Sequence, residues 1–172
     1  MQAPDRIILV GPMGVGKTTV GRQLARALNR PFQDADRAIE ERTGASIPWI
    51  FDIEGEEGFR SRERGILDEL TREPELVLAT GGGAVLDPDT RRKLAERGYV
   101  IYLYAPAGHL YERTRYDRNR PLLQTEDPRA RLEALMAERD PLYRETAHRV
   151  VETGNRPARA VVREIIRPWR EE

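Results

Sequence analysis

One stretch decides the fold of this 172-residue chain: Gly11-Pro12-Met13-Gly14-Val15-Gly16-Lys17-Thr18. It matches the pattern G-x-x-x-x-G-K-[ST], follows the apolar run 6–10, and leads into a segment with helical spacing. A glycine-rich turn between a strand and a helix lets backbone N–H groups point into one concavity, to which the helix adds the positive end of its dipole. The stretch predicts a phosphate-binding loop, and a glycine turn that binds nothing is the alternative.

Two side chains at the end of this loop suit a nucleotide with its metal ion. Lys17 is placed to reach the β- and γ-phosphates, and the hydroxyl of Thr18 is placed to join the coordination shell of Mg²⁺. The ATP contacts predicted here are Gly11, Pro12, Met13, Gly14, Val15, Gly16, Lys17, Thr18 and Thr19.

Composition narrows the class of partner. The chain has 29 basic and 29 acidic residues, so no global field favours nucleic acid or an anionic membrane. It has no cysteine and two histidines, which excludes a disulfide framework and makes a zinc site unconvincing. The chain shows neither a signal-peptide pattern nor an apolar run of membrane-spanning length. We therefore expect a cytoplasmic protein, monomeric, that acts on a small molecule.

Apolar runs and helical repeats alternate along the rest of the chain. Strands are predicted at 6–10, 31–36, 75–80, 99–104 and 148–153, with helices between them. This order predicts an α/β fold of three layers, α/β/α, around a five-stranded parallel sheet whose carboxyl ends bind ligands. The length suits a single domain, 1–172.

Two features predict a second ligand beside the nucleotide. Asp34 and Asp36 follow the second apolar run, and they share one side if that strand continues through both; alternatively, one of them caps a helix at 37–42. Gly81-Gly82-Gly83 ends the third strand, either as a mere tight turn or because a ligand needs the space. Helices are expected at 46–52 and 56–71, interrupted at Gly44, Gly55 and Gly58.

The positions of several arginines also predict binding of an anion. The apolar stripe of the helix after Pro128 predicts an inward position at Arg139, whose partner is either an internal carboxylate or an anionic ligand. A polar segment near 117–126 carries Arg118 and Arg120, close to Arg113 and Arg115, and such crowding favours a lid that meets phosphate.

Six motifs in order give the chain a close resemblance to the shikimate kinase family, within the nucleoside monophosphate kinase-like P-loop fold. They are Gly11 to Thr18, Asp34-Ala35-Asp36, Phe59-Arg60, Gly81-Gly82-Gly83, Arg120-Pro121-Leu122-Leu123, and Arg139 with Pro141-Leu142-Tyr143. The resemblance implies transfer of the γ-phosphoryl group of ATP to the 3-hydroxyl of shikimate, on the route to chorismate and the aromatic amino acids.

The resemblance also implies residue roles. Lys17, Asp36 and Arg120 would be catalytic, and Asp34 would help to place Mg²⁺ through water, together with Thr18. Arg113 and Arg156 would flank adenine, although the segment 156–159 departs from the family pattern. Shikimate would be held by Asp34, Asp36, Arg60, Gly81, Gly82, Gly83 and Arg139. An acceptor-binding insertion at 36–63 and a lid at 114–127 are expected.

Two rival functions share part of this pattern. A related small-molecule kinase such as a gluconokinase would keep the phosphate loop and lid without the set Asp36, Arg60 and Arg139. A nucleotide-binding regulatory module would keep the fold without turnover, but the intact Lys17, Asp34 and Arg120 argue against it.

Overall fold

The computed structural model describes residues 1–115 and 123–170. One sheet holds the strands β1 (Arg6–Val10), β2 (Phe32–Asp34), β3 (Leu76–Ala79), β4 (Tyr99–Tyr104) and β5 (Arg149–Glu152). Their order is β2-β3-β1-β4-β5, and every neighbouring pair is parallel. The predicted five-stranded parallel sheet is confirmed.

Helices cover both faces of this sheet. They are α1 (Lys17–Leu28), α2 (Ala35–Thr43), α3 (Ile47–Leu70), α4 (Pro88–Arg97), α5 (Ala107–Thr114), α6 (Pro128–Thr146) and α7 (Ala158–Arg170). Because strand side chains alternate, Ile7 and Leu9 face a core shared with α1, α5 and α7, whereas Ile8 and Val10 face one shared with α2, α3 and α4. Among the described residues, no helix is long and apolar enough to cross a bilayer.

The junction between β2 and α2 differs from the prediction. The strand ends at Asp34 and the helix begins at Ala35, so the expected strand to residue 36 was too long. The cause is a helix cap, since the Asp34 carboxylate accepts a hydrogen bond from the N–H of Arg37 at 3.2 Å. Asp36 therefore lies in the first turn of α2, and the alternation argument that placed it beside Asp34 was wrong.

The long helix α3 is broken once. Gly55 has φ 72° and ψ 179°, a left-handed conformation that glycine adopts without a Cβ penalty, and it separates two helical halves as expected. Gly44 ends α2, also as expected. Gly58 does not interrupt α3, so the prediction of a break there was wrong.

Side-chain caps fix the entry of two further helices. Asp87 accepts from the N–H of Thr90 at 2.9 Å, and Asp127 accepts from the N–H of Ala130 at 3.1 Å. A proline follows each cap, where its missing N–H costs no intrahelical bond. The Asp-Pro pairs at 87–88 and 127–128 are the sequence signal of these helix starts, and they fix where α4 and α6 begin.

Candidate active site

A cleft of about 790 Å³ lies at the carboxyl ends of β1, β2 and β3. The loop that follows β1 forms one wall, and the first turns of α2 and α3 form another. Its lining includes Met13, Gly14, Gly16, Lys17, Thr18, Thr19, Asp34, Asp36, Gly81, Gly82 and Arg113. Most of the residues predicted from sequence for two different ligands therefore share one cavity.

The loop between β1 and α1 has the shape of an anion cradle. Gly14 and Gly16 have φ of 80° and 99°, and Gly16 is the residue that precedes the first turn of α1. A Cβ on Gly14 would lie 2.5 Å from the side chain of Thr114 on α5, so α5 closes tightly against the loop. The N-terminus of α1, where the first backbone N–H groups of a helix have no intrahelical acceptor, faces the cleft.

Lys17 lies inside this cradle. Its ammonium donates to the carbonyl oxygens of Gly11 at 2.6 Å and Pro12 at 2.8 Å, and its side chain is buried. These bonds tie the first residue of α1 back to the start of the loop. The arrangement presents a positive charge beside the backbone donors, which suits a polyphosphate.

A pair of oxygen atoms lies at the floor of the cleft. The hydroxyl of Thr18 donates to Oδ2 of Asp34 at 2.5 Å. In the described part of the chain, no cluster of three or more His, Cys, Asp or Glu residues is arranged to hold a metal. One carboxylate and one hydroxyl fit Mg²⁺, which keeps several waters and takes phosphate oxygens as its other ligands.

Two of the three glycines after β3, Gly81 and Gly83, make room for charged side chains, whereas a Cβ on Gly82 would meet its neighbours at ordinary contact distance. A Cβ on Gly81 would lie 2.8 Å from Oδ1 of Asp36, and one on Gly82 would lie 3.5 Å from Nη1 of Arg139. A Cβ on Gly83 would lie 2.4 Å from the guanidinium of Arg60. The space beside the turn is taken by side chains of the protein, and the expectation that a ligand approaches this backbone stays a prediction.

Sequence reasoning missed Glu63, which holds Arg60 in this group. Oε1 of Glu63 accepts from Nη1 of Arg60 at 3.0 Å, and the side chain is 3% exposed. Burial raises the pKa of Glu63, against the lowering effect of Arg60 and Arg139. Its spacing, three residues after Arg60 on one helix, is the signal that was available.

Arg139 is buried, as its position in the apolar stripe predicts. It is 4% exposed, and its Nε has no hydrogen-bond partner. Burial lowers the pKa of its guanidinium. Within residues 1–115 and 123–170, no carboxylate lies within 4.0 Å of it, so the structure gives no support to an internal ion pair.

The three arginines expected near the nucleotide have different positions. Arg113 lines the cleft and donates to the carbonyls of Gly14 and Val15, at 3.3 and 3.1 Å. Arg156 points to the start of α7 and pairs with Glu164 at 3.1 Å, away from the cleft lining. Arg120 lies outside the described residues, as does half of the expected lid, 116–122.

Buried cationic side chains beside a phosphate cradle, at the carboxyl edge of a parallel sheet, define a P-loop kinase that acts on a small acceptor. A family model described as shikimate kinase matches residues 13–169. A shikimate kinase of Halorhodospira halophila is 61% identical over 165 residues, 96% of this chain and 93% of that protein. The chain belongs to the shikimate kinase family, and it is an ATP-dependent kinase.

Solved structures agree with this assignment. Shikimate kinase from Acinetobacter baumannii, in complex with shikimate, has a TM-score of 0.94 and 54% identity, covering 95% of this chain and 92% of that one. A gluconokinase from Sinorhizobium meliloti has a TM-score of 0.59 at 20% identity, covering 98% and 93%. The second likeness shows the common fold alone, so the rival reading as a gluconokinase has no comparable support.

Proposed function

We propose that this chain transfers the γ-phosphoryl group of ATP to the 3-hydroxyl of shikimate, yielding shikimate 3-phosphate and ADP for chorismate synthesis. One observation carries the residue-level proposal. Arg139, which is buried, and Arg60, which is largely buried, each keep an Nε without a hydrogen bond, beside the glycine turn that borders the cleft. Buried donors of this kind fit an anionic acceptor such as a carboxylate.

Shikimate is held in this proposal by Asp34, Asp36, Arg60, Arg139 and the segment 81–83. The guanidinium groups bind the carboxylate, and Asp36 orients the hydroxyl. In the described part of the chain, the amides of Gly82 and Gly83 donate to no backbone carbonyl, so they are available to the acceptor. In this proposal Gly81 and Gly83 leave space for charged side chains, and the amides of Gly82 and Gly83 are hydrogen-bond donors to the acceptor.

The ATP phosphates bind in the loop from Gly11 to Thr19. Lys17 exchanges its carbonyl partners for phosphate oxygens, Arg120 comes from the lid, and Arg113 flanks the adenine. Arg156 is retained as an adenine contact only as a prediction, because its present partners are Glu152, Ala160 and Glu164. In this family reading the lid comprises 114–127 and the acceptor insertion comprises 36–63 of a single domain.

Mg²⁺ is proposed at the oxygen pair formed by Thr18 and Asp34, with Asp34 acting through water. When bound, the ion neutralises charge on the phosphates. We also propose that the enzyme works as a monomer in the cytoplasm, without nucleic acid or membrane partners, because its charge is balanced and its ligands are small.

The reaction is a direct displacement. The acceptor oxygen forms a bond to the γ-phosphorus, the bond from that phosphorus to the bridging oxygen of ADP breaks, and the hydroxyl proton leaves. Asp36 accepts the hydrogen bond from that hydroxyl and is a candidate for the base. Lys17 and Arg120 neutralise charge on the transferred group, which is the main task in phosphoryl transfer.

An acceptor panel tests this proposal. ADP release is measured with shikimate, gluconate and nucleoside monophosphates, each with ATP and Mg²⁺. Of these acceptors, we expect only shikimate to cause release of ADP, and we expect the product to be shikimate 3-phosphate. Release with gluconate or a nucleotide instead would overturn the acceptor assignment, and release with none of them would indicate a binding module without turnover.

A further inference from the structure

Tyr143 lies one helical turn after Arg139 on α6, and it is fully buried. Side chains four residues apart share a helix face, and each leans toward the N-terminus of its helix. The hydroxyl of Tyr143 is therefore carried back toward Arg139. It reaches the turn after β3 as well, where it donates to the carbonyl of Gly82 at 2.5 Å.

The hydroxyl joins two parts of the acceptor site. Besides its bond to Gly82, it lies beside the guanidinium of Arg139: the Tyr143 hydroxyl and Nη1 of Arg139 lie 3.8 and 3.5 Å from the position that a Cβ on Gly82 would take. A phenol has one donor and free lone pairs, so while it donates to the carbonyl its lone pairs remain available to the neighbouring guanidinium. One atom thus fixes the orientation of Arg139 relative to the glycine turn.

This bond also orients a backbone donor. The carbonyl of Gly82 and the N–H of Gly83 belong to one planar trans peptide, so they point in opposite directions. Holding the carbonyl toward α6 directs the N–H of Gly83 away from α6. The same hydroxyl therefore sets the direction of a charged donor and of a neutral one.

We infer that Tyr143 is a positioning residue for acceptor recognition, which holds Arg139 and the Gly82–Gly83 peptide in the arrangement that receives the acceptor carboxylate. The inference rests on the proposed function, which assigns that carboxylate to Arg139. It goes further, because Tyr143 acts without touching the substrate. The other reading is that its hydroxyl only satisfies buried polar groups and so contributes to stability alone.

Tyr102 provides a matched control. It is a second fully buried tyrosine, and its ring lies 4.9 Å from that of Tyr143. Its hydroxyl donates to Oδ1 of Asp140 at 2.6 Å, outside the acceptor group. Replacing either tyrosine with phenylalanine removes one buried hydroxyl from the same core, but only one of the two hydroxyls contacts Arg139.

The test compares Tyr143→Phe with Tyr102→Phe by titration with shikimate and with shikimate methyl ester, which lacks the negative charge. We expect Tyr143→Phe to weaken shikimate binding by about tenfold, as for a hydrogen bond to a charged group, and ester binding much less. The KM for ATP should stay unchanged. Tyr102→Phe should lower the melting temperature without changing the ratio of the two affinities.

The ratio of shikimate to ester affinity is obtained within each variant, so a loss of folded protein cancels from it. An unchanged ratio in Tyr143→Phe would overturn the inference. A third variant, Arg139→Leu, separates this result from failure of the proposed function. If Arg139→Leu binds shikimate normally, the carboxylate assignment itself is wrong; if it binds weakly while Tyr143→Phe binds normally, only the role of Tyr143 is wrong.

The double variant Arg139→Leu/Tyr143→Phe completes the comparison. If Tyr143 acts through Arg139, its substitution should add little further loss of shikimate affinity once Arg139 is absent. Additive losses would show that Tyr143 affects the acceptor by another route, which would contradict the inference.

Discussion

Two groups of charged residues lie on helix α3, one largely buried and one at the surface. Near its middle, Glu63 and Arg60 are largely buried and form part of the acceptor site. Near its end, Asp68 lies at the surface and bonds to Arg97 at 2.9 Å and to Lys93 at 3.1 Å, both on α4. These bonds lower the pKa of Asp68 from its ordinary value of 3.8 to about 2.

The difference lies in which polar atoms are left over. In the surface group, the Asp68 carboxylate is paired with Lys93 and Arg97, and the polar atoms that remain unpaired are exposed to water. In the buried group, Oε2 of Glu63 and Nε of Arg60 have no partner, and neither does Nε of Arg139. An unsatisfied buried polar group costs about 1–3 kcal/mol. Burial combined with missing partners, more than density of charge, therefore distinguishes a ligand site from a stabilising network.

The largest expected effect comes from removing one charge in the site without changing its shape. Asp36→Asn should keep part of its shikimate affinity and lower kcat by roughly 10²–10⁴-fold, because it orients or deprotonates the attacking hydroxyl. Steady-state kinetics with varied shikimate check this. Asp68→Asn, the same chemical change in the surface group, is the control and should leave kcat intact. An unchanged kcat in Asp36→Asn would exclude it as base and as orienting group.

The second prediction concerns the buried arginine. Arg139→Leu should weaken shikimate binding by about 2 kcal/mol or more, as for a lost charge-assisted pair. Its melting temperature without ligand should stay the same or rise slightly, because leucine continues the apolar stripe. Arg139→Lys should rescue only in part, since an ammonium lacks the planar fork.

Arg97→Leu is the counterpart in the surface group and should lower the melting temperature while leaving shikimate affinity unchanged. Calorimetric titration and thermal melts of both leucine variants measure the contrast. A large loss of stability in Arg139→Leu with normal shikimate binding would make Arg139 a structural residue, and the distinction between the two groups would fail.

A smaller effect is expected from adding one methyl group to the glycine turn. A Cβ on Gly83 would lie 2.4 Å from the end of the Arg60 side chain, so Gly83→Ala should displace Arg60 and weaken its bond to the buried Glu63, with some loss of stability. The KM for shikimate should rise by about tenfold, the scale of one weakened charge-assisted bond.

Gly65→Ala on α3 is the control, because a Cβ there meets nothing within 4 Å. It should stabilise the helix by about 0.5–1 kcal/mol and leave the KM unchanged. Equal kinetics in the two alanine variants would show that Arg60 does not depend on the space at Gly83.

The smallest effect is a pH dependence of the surface group. The folded pKa of Asp68 is depressed, so its ionised form favours folding; this stabilisation is present above pH 4 and is lost as pH falls toward 2. The melting temperature of Asp68→Asn should therefore lie slightly below that of the parent at pH 7, and the gap should narrow as the pH falls from about 4 to about 2. A gap independent of pH would mean that the carboxylate charge does not stabilise this group.

Local patterns predicted the parts of the fold that depend on local interactions. The bounds of β4 follow from an apolar run between a glycine and a proline. Asp87 and Asp127 are helix caps, a residue type and position that indicate where a helix begins. The burial of Arg139 was predicted because an apolar stripe fixes which helix face is inward. Each of these inferences needed only a few neighbouring residues.

The features of the site that the sequence did not predict depend on contacts between segments that are distant in the chain. Glu63 lies in a helix with many exposed glutamates, and only its approach to the glycine turn after β3 makes it a buried residue. Tyr143 resembles an ordinary core tyrosine until the carbonyl of Gly82 is placed beside its hydroxyl. Asp36 was assigned to the right cavity for the wrong reason, because the cap at Asp34 started the helix early.

The bonds from Lys17 to Gly11 and Pro12 have a consequence for repeated turnover. A loop that is anchored by its own lysine keeps its shape when no nucleotide is bound, so the entropy lost in ordering it is lost once, during folding. Each ATP molecule then meets a formed cradle, and the ammonium only exchanges two carbonyl oxygens for phosphate oxygens. The internal bonds of Lys17 therefore hold the loop in the shape that binds phosphate before ATP arrives.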